Sequence, residues 1–286
     1  MRTDNCRLLH WGALLGLIAA HVVGLVAVEE QARVPQPGVS LSPAVVMLSG
    51  RPGQAHRQTL RLTNHTSREL TFTLVAQDVV VEDGKRVFLD VGVRSDSVAA
   101  TALFSPSEVT IPPHAVGTSE VTLTIPSSTA VRGIAAIFRG RTVVGSTSGV
   151  AMIASLGCLI TFTLSTDVRL EASNPDVSLQ TQTTPLSVSE VVSNVGAEPV
   201  VAKGMMALLN DAGVLVGKVA LEPHRLMPGE RMRIRADYPA LLNPGRYRAV
   251  LSFEYENQVL TNAVDVMVPA VRADERAADR DADVRR

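Results

Sequence analysis

Leu62-Thr63-Asn64-His65-Thr66-Ser67 and Val192-Ser193-Asn194-Val195-Gly196-Ala197 share one pattern: a strand, an asparagine, then a short turn. A second pair follows in the same order. Ile111-Pro112-Pro113 leads through the alternating Val121–Ile125 to Arg132-Gly133-Ile134-Ala135-Ala136-Ile137-Phe138. Leu226-Met227-Pro228-Gly229 leads through Arg231–Ala236 to Pro244-Gly245-Arg246-Tyr247-Arg248-Ala249-Val250-Leu251. The asparagines lie 130 residues apart and Ala136 and Ala249 lie 113 apart, so the halves keep strand order and differ in loops. A repeated order of elements signals a duplicated structural unit.

Within each unit the period is two. Gln58–Asn64 alternates around Leu60 and Leu62, Thr71–Ala76 around Phe72, Leu74 and Ala76, and Arg231–Ala236 around Met232 and Ile234. Such runs between Gly, Pro, Asn and Ser are half-buried strands. Asp83-Gly84 between two short apolar runs is a hairpin turn, because both central positions want positive φ. No helical period appears beyond the N-terminus. The fold class expected is all-β, with two tandem immunoglobulin-like β-sandwiches of roughly 100 residues each. They are placed at 38–165 and 168–269, with a hinge near Ser165–Arg169.

The two ends read differently. Arg2 and Arg7 precede an apolar run from Trp11 to Val28, broken only by His21, so residues 1–28 read as an export segment. A cleaved signal peptide and an uncleaved N-terminal anchor both fit its length. The remainder is then periplasmic or in the cell envelope, and membrane contact is expected only through that segment. Residues 270–286 carry Arg, Asp and Glu without an apolar face, as a charged disordered tail does.

Composition excludes several functions. With 27 Lys+Arg against 28 Asp+Glu, the chain has no basic field for nucleic acid. Six Phe, three Tyr and one Trp are too few for a stacking platform. His56, His65, His114 and His224 are scattered, and Cys158 stands alone after the export segment, so no metal site or cofactor is expected. Gly145-Ser146-Thr147-Ser148-Gly149 has Thr where a nucleophile elbow needs Ser, and reads as a flexible loop. Asp78, Glu82, Asp83 and Asp90 lack calcium-loop spacing and read as solvated hairpin charges. Asn64-His65-Thr66 matches a glycosylation acceptor by pattern alone. No catalytic residues are assigned, and the chain is not expected to be an enzyme.

One stretch asks for a binding role. From Val150 to Leu164 every even position is apolar: Val150, Met152, Ala154, Leu156, Cys158, Ile160, Phe162 and Leu164. As one strand it would reach about 50 Å, well beyond ordinary strand length. Either it bends at Ser155 and Gly157 into two core strands, or it is an edge with part of its apolar row uncovered. No charge or proline blunts it. The second reading makes Val150, Met152, Ala154, Leu156, Cys158, Ile160 and Phe162 a partner-binding edge strand of the kind used in strand addition.

In the order of its features the chain resembles the periplasmic pilus-assembly chaperones. Leu41-Ser42-Pro43, the strand ending at Asn64, Phe104-Ser105-Pro106 through Ile111-Pro112, and Val121–Ile125 carry the resemblance over about 130 residues. It implies two immunoglobulin-like domains set at an angle, with Gly145–Gly149 as a flexible loop and Val150–Leu164 as the strand lent to an incomplete subunit. It also implies a basic pair anchoring the subunit's terminal carboxylate. No Lys or Arg occurs between Arg141 and Arg169, so the strand's own cation is missing, and Arg33 or Arg51 is left for the other. The expected function is a non-catalytic exported protein that binds a protein partner, such as a pilus or surface subunit. The alternative is a structural or adhesive surface module that uses its second domain.

Overall fold

The computed structural model describes residues 38–141, 144–145, 151–152, 155–179 and 185–270. The export segment, the charged tail, residues 146–150, and Ala154 lie outside them.

The first half contains β1 (Val39–Ser42), β2 (Val45–Ser49), β3 (Ala55–Asn64), β4 (Leu70–Glu82), β5 (Lys85–Asp90), β6 (Leu103–Ser105), β7 (Glu108–Ile111), β8 (Val116–Thr124) and β9 (Gly133–Gly140). The short β10 (Val144–Gly145) and β11 (Ala151–Met152) pair with each other before β12 (Ser155–Thr163). One sheet runs β1-β3-β8-β6; the other runs β2-β12-β9-β4-β5, with β7 also on β4. The chain crosses between sheets at Pro43, so β1 and β2 belong to different layers. The inward rows meet as the alternation predicts. Leu60, Leu62 and Leu123 come from one sheet, with Ile125 just past the end of β8, and Phe72, Leu74, Ile134 and Phe138 from the other, all buried. Phe72 and Phe138 meet edge to face, with centroids 6.5 Å apart.

The second half contains β13 (Leu170–Ala172), β14 (Asp176–Ser178), β15 (Ser187–Asn194), β16 (Val200–Asn210), β17 (Leu215–Ala220), β18 (His224–Leu226), β19 (Arg231–Asp237), β20 (Gly245–Tyr255) and β21 (Gln258–Val268). One sheet is β13-β15-β14 with β19 on β15, and the other is β17-β16-β20-β21 with β18 on β16. Ile234, Ala249, Leu251 and Phe253 are buried between them, and Met232 and Tyr247 pack at the margin. Two separate cores and no α-helix among the described residues make this a pair of tandem immunoglobulin-like β-sandwiches.

The duplicated asparagines explain the repeat physically. Asn64 has no exposed surface, and its amide donates to the carbonyls of Arg68, Ile111 and Pro112 at 2.7–3.1 Å. Its Oδ1 accepts from the Thr66 N–H and hydroxyl at 2.9 and 2.7 Å. Asn194 does the same in the second core, donating to Glu198 and Leu226 and accepting from Gly196. Each clamps the end of one strand to the proline turn of another, which is why the two sequence motifs recur together. With its amide hydrogens engaged and buried, Asn64 offers no acceptor for glycosylation.

The Asp83-Gly84 turn forms as predicted, with φ of 51° and 80°. Asp78 corrects the sequence reading: it is not a solvated hairpin charge. It is fully buried, and Oδ1 accepts from the N–H groups of Val98 and Ala99 at 3.0 and 2.8 Å, capping the short 3-10 turn at Ala99–Thr101.

Candidate functional site

The long apolar run divides at β12. Strand β9 pairs with β12 along Ser155–Thr161, in the register Ser155↔Arg139 to Thr161↔Gly133. Strand β2 lies on the other side, parallel, and covers only Leu159–Thr163, in the register Val45↔Leu159 to Ser49↔Thr163. Leu159 marks where that cover begins, its N–H donating to Ala44 O at 3.0 Å. Ser155–Cys158 therefore have β9 on one flank and no described strand on the other.

The direction of the free groups follows from the pleat. The Leu159 N–H points toward β2, so by the period of two those of Ser155 and Gly157 point the same way. Alternate residues face β9, as the Phe162 N–H does in donating to Arg132 O at 3.1 Å. The open edge thus presents the main-chain groups of Ser155 and Gly157. Both residues are exposed, and a Cβ on Gly157 would meet nothing closer than 3.8 Å.

Side chains of the expected edge fall into three groups. Cys158, Ile160 and Phe162 have no exposed surface and belong to the first core, and Leu156 is half-buried against it. Met152 lies on β11, paired with Val144, and Val150 and Ala154 are outside the described residues. Of the expected edge strand, Cys158, Ile160 and Phe162 are therefore core side chains, and β2 covers the main chain from Leu159 onward, leaving Ser155–Cys158 without a second described strand. Burial pushes the Cys158 thiol up to about 11, so it is a packed hydrophobe and not a nucleophile.

The outer face of β12 meets the second sandwich. Met227, just after β18, fills the space over Gly133, where a Cβ would come within 2.9 Å of its Cε. Arg225 on β18 reaches over β12 and β2: Nη1 donates to Thr161 Oγ1 at 2.9 Å, and Nη2 contacts Met47 Sδ. Among the described residues no carboxylate pairs with Arg225. Burial, and then repulsion from Arg86, lowers its pKa from the ordinary arginine value. Beside it, Val45 and Met47 leave 48% and 64% of their surface open.

Two ion pairs surround this junction. Arg86 on β5 lies 2.9 Å from the Glu230 carboxylate, which also accepts from the Met227 N–H at 2.8 Å. Arg132 lies 3.0 Å from Glu198, which further accepts from the Leu164 N–H and the Ser165 hydroxyl at 3.1 and 2.8 Å. At the β4–β5 turn, Gly84 O accepts from the Arg231 N–H at 2.9 Å and Asp83 O from its guanidinium at 3.1 Å. Sequence reasoning missed Arg225 and both pairs, whose members lie far apart in the chain. No group of three His, Cys, Asp or Glu residues suited to a metal is assembled among the described residues.

In fold the chain is similar to several solved pilus chaperones. The class 5 fimbriae chaperone CfaA is 11% identical, with a TM-score of 0.42 over 82% of this chain and all of that one. The CupB2 chaperone of Pseudomonas aeruginosa is 10% identical, with a TM-score of 0.38 over 80% of this chain and all of that one. The CsuC–CsuE chaperone–tip subunit complex of Acinetobacter baumannii gives 9% identity and a TM-score of 0.40, covering 81% of this chain and 99% of that one. No family model and no curated protein matches the sequence.

Proposed function

We propose that the protein is a non-catalytic, exported envelope protein that captures a protein partner by strand addition on the open edge of β12, as a pilus-assembly chaperone does. The observation that carries this reading is the incomplete cover of β12: among the described residues, β2 pairs only from Leu159 onward and Ser155–Cys158 are paired on one side. An unpaired edge without charge or proline templates another strand. In the sequence the apolar alternation continues upstream through Val150, Met152 and Ala154.

Arg225 gives the capture a direction. A partner strand in the lane of β2, parallel to β12, has its carboxyl end turned toward β2. From Cys158 to Thr161 is three residues, about 10 Å along the strand. A chain end passing over the open Val45 and Met47 brings its terminal carboxylate to a guanidinium without an anionic partner among the described residues. Export rests on Arg2, Arg7 and the apolar run that follows them. The alternative, an adhesive or structural module, would use β17, an edge of the second sandwich with exposed Val214, Leu215 and Val216 before and along it.

The test uses labelled apolar-alternating peptides, each made with a free and an amidated C-terminus, titrated onto the full chain by fluorescence anisotropy. Binding of the free acid, weakened by amidation and lost in Gly157→Pro, is expected. Binding that survives Gly157→Pro, or no binding by any peptide, rejects the edge. Equal affinity for acid and amide rejects the anchoring role of Arg225.

A further inference from the structure

Glu190 occupies the inward row of β15 between Val188 and Val192, with no exposed surface. Its Oε2 accepts from Asn262 Nδ2 on β21 at 2.8 Å, while the buried Oε1 has no partner among the described residues. The same amide donates to Ser173 O at 3.0 Å, immediately after β13. Ser173 is bound back to Val191, its N–H donating to Val191 O at 2.9 Å and its hydroxyl accepting from the Val191 N–H at 3.0 Å. One carboxyl and one amide therefore tie β15 and the end of β13 to β21, an edge strand of the opposite sheet.

The surroundings leave the carboxyl alone. Opposite it on β19 is the buried Ile234. The charged residues of the neighbouring strands, Glu171 and Asp176, Arg231, Arg233, Arg235 and Asp237 on β19, Arg246, Arg248 and Glu254 on β20, and Asp265 on β21, are all exposed and do not face it. Burial raises its pKa above the ordinary glutamate value of 4.5, and the Asn262 amide offsets that in part.

We propose that Glu190 is a proton-operated latch of the second sandwich, holding β13 and β15 closed on β21 when neutral and loosening that closure when ionised. The sign follows from linkage: a raised folded-state value means stability is full below the unfolded value and is lost as pH rises through the folded one. The latch is thus tightest in mildly acidic surroundings. It acts on the second sandwich alone and does not depend on strand capture by β12.

Carboxyl NMR titration of Glu190 in the full chain, assigned with Glu190→Gln, reads the group directly. Amide exchange of β21, compared between wild type and Glu190→Gln at about pH 5 and pH 8, reads the closure. We expect Glu190 to titrate above the ordinary glutamate range. Relative to the variant, wild-type β21 should lose protection by about tenfold or more between the two pH values. Titration at or below the ordinary range, or a protection ratio unchanged with pH, overturns the latch. Should Glu190→Gln not fold, Glu190→Met serves as the uncharged reference, and the wild-type titration stands by itself.

Discussion

The Arg132 guanidinium meets the Glu198 carboxylate at 3.0 Å across the junction of the two sandwiches, and Glu198 has no exposed surface. Because Glu198 also receives the Leu164 N–H and the Ser165 hydroxyl, one side chain fixes both the neighbouring sandwich and the connecting chain. Removing one partner of a buried pair strands the other, at about 3–5 kcal/mol. Glu198→Ala should therefore lower stability by that amount in urea unfolding, and small-angle scattering should show a longer, more variable particle. An unchanged scattering profile would mean that the remaining contacts suffice to hold the angle.

Positions on β12 should respond according to which neighbour they face. Phe162→Ala opens a cavity in the first core and should cost about 3–5 kcal/mol in chemical denaturation. Gly157→Pro removes an N–H that points into the open lane and leaves the ladder to β9 intact, so its melting temperature should stay close to wild type. A Gly157→Pro protein that unfolds would show that this edge is covered after all.

The paired asparagines make a matched experiment. In Asn64→Asp the group facing the carbonyls of Arg68, Ile111 and Pro112 changes from donor to acceptor. Each buried carbonyl left without its donor costs about 1–3 kcal/mol. The variant should be less stable than Asn64→Ala, and Asn194→Asp should repeat the order in the second sandwich. Equal stabilities of the Asp and Ala variants would contradict the assigned roles of Nδ2 and Oδ1.

Strong acid should loosen the loop that Asp96 holds. Hydrogen bonds from Arg94 and from the Ala130 N–H hold the Asp96 carboxyl down at about 2. A depressed value contributes stability that is present above the ordinary aspartate pKa of 3.8 and is lost as pH falls toward about 2. Nuclear magnetic resonance of the Thr129 and Ala130 amides should show this loosening in wild type and not in Asp96→Asn. The same midpoint in both proteins would assign the transition to another group.

Much of the fold was readable because period two and turn chemistry are local. Leu60, Leu62, Phe72 and Leu74 lie inside because their own neighbours in sequence place them there. The site was less readable, because alternation looks the same in an edge and in an interior strand. What separates Ser155–Cys158 from Leu159–Thr163 is the arrival of β2, more than a hundred residues earlier in the chain. Asp78 was misread for a similar reason: its proximity to the hairpin is local, while its bonds to Val98 and Ala99 close a loop about 20 residues long. Arg225 gave no signal at all, since its neighbours Thr161 and Met47 are uncharged and remote in sequence.

Gly84 grips Arg231 at one corner of the junction while Arg225 rests on Thr161 at another. Two separated points of attachment oppose rotation about either one. Under the proposed capture, Arg225 and the exposed Val45 and Met47 stand in position before a partner arrives, so the entropic cost of association would fall mainly on the incoming chain. Affinity should then vary with the stiffness of that chain: a peptide already extended in solution binds more tightly than a flexible one making the same contacts.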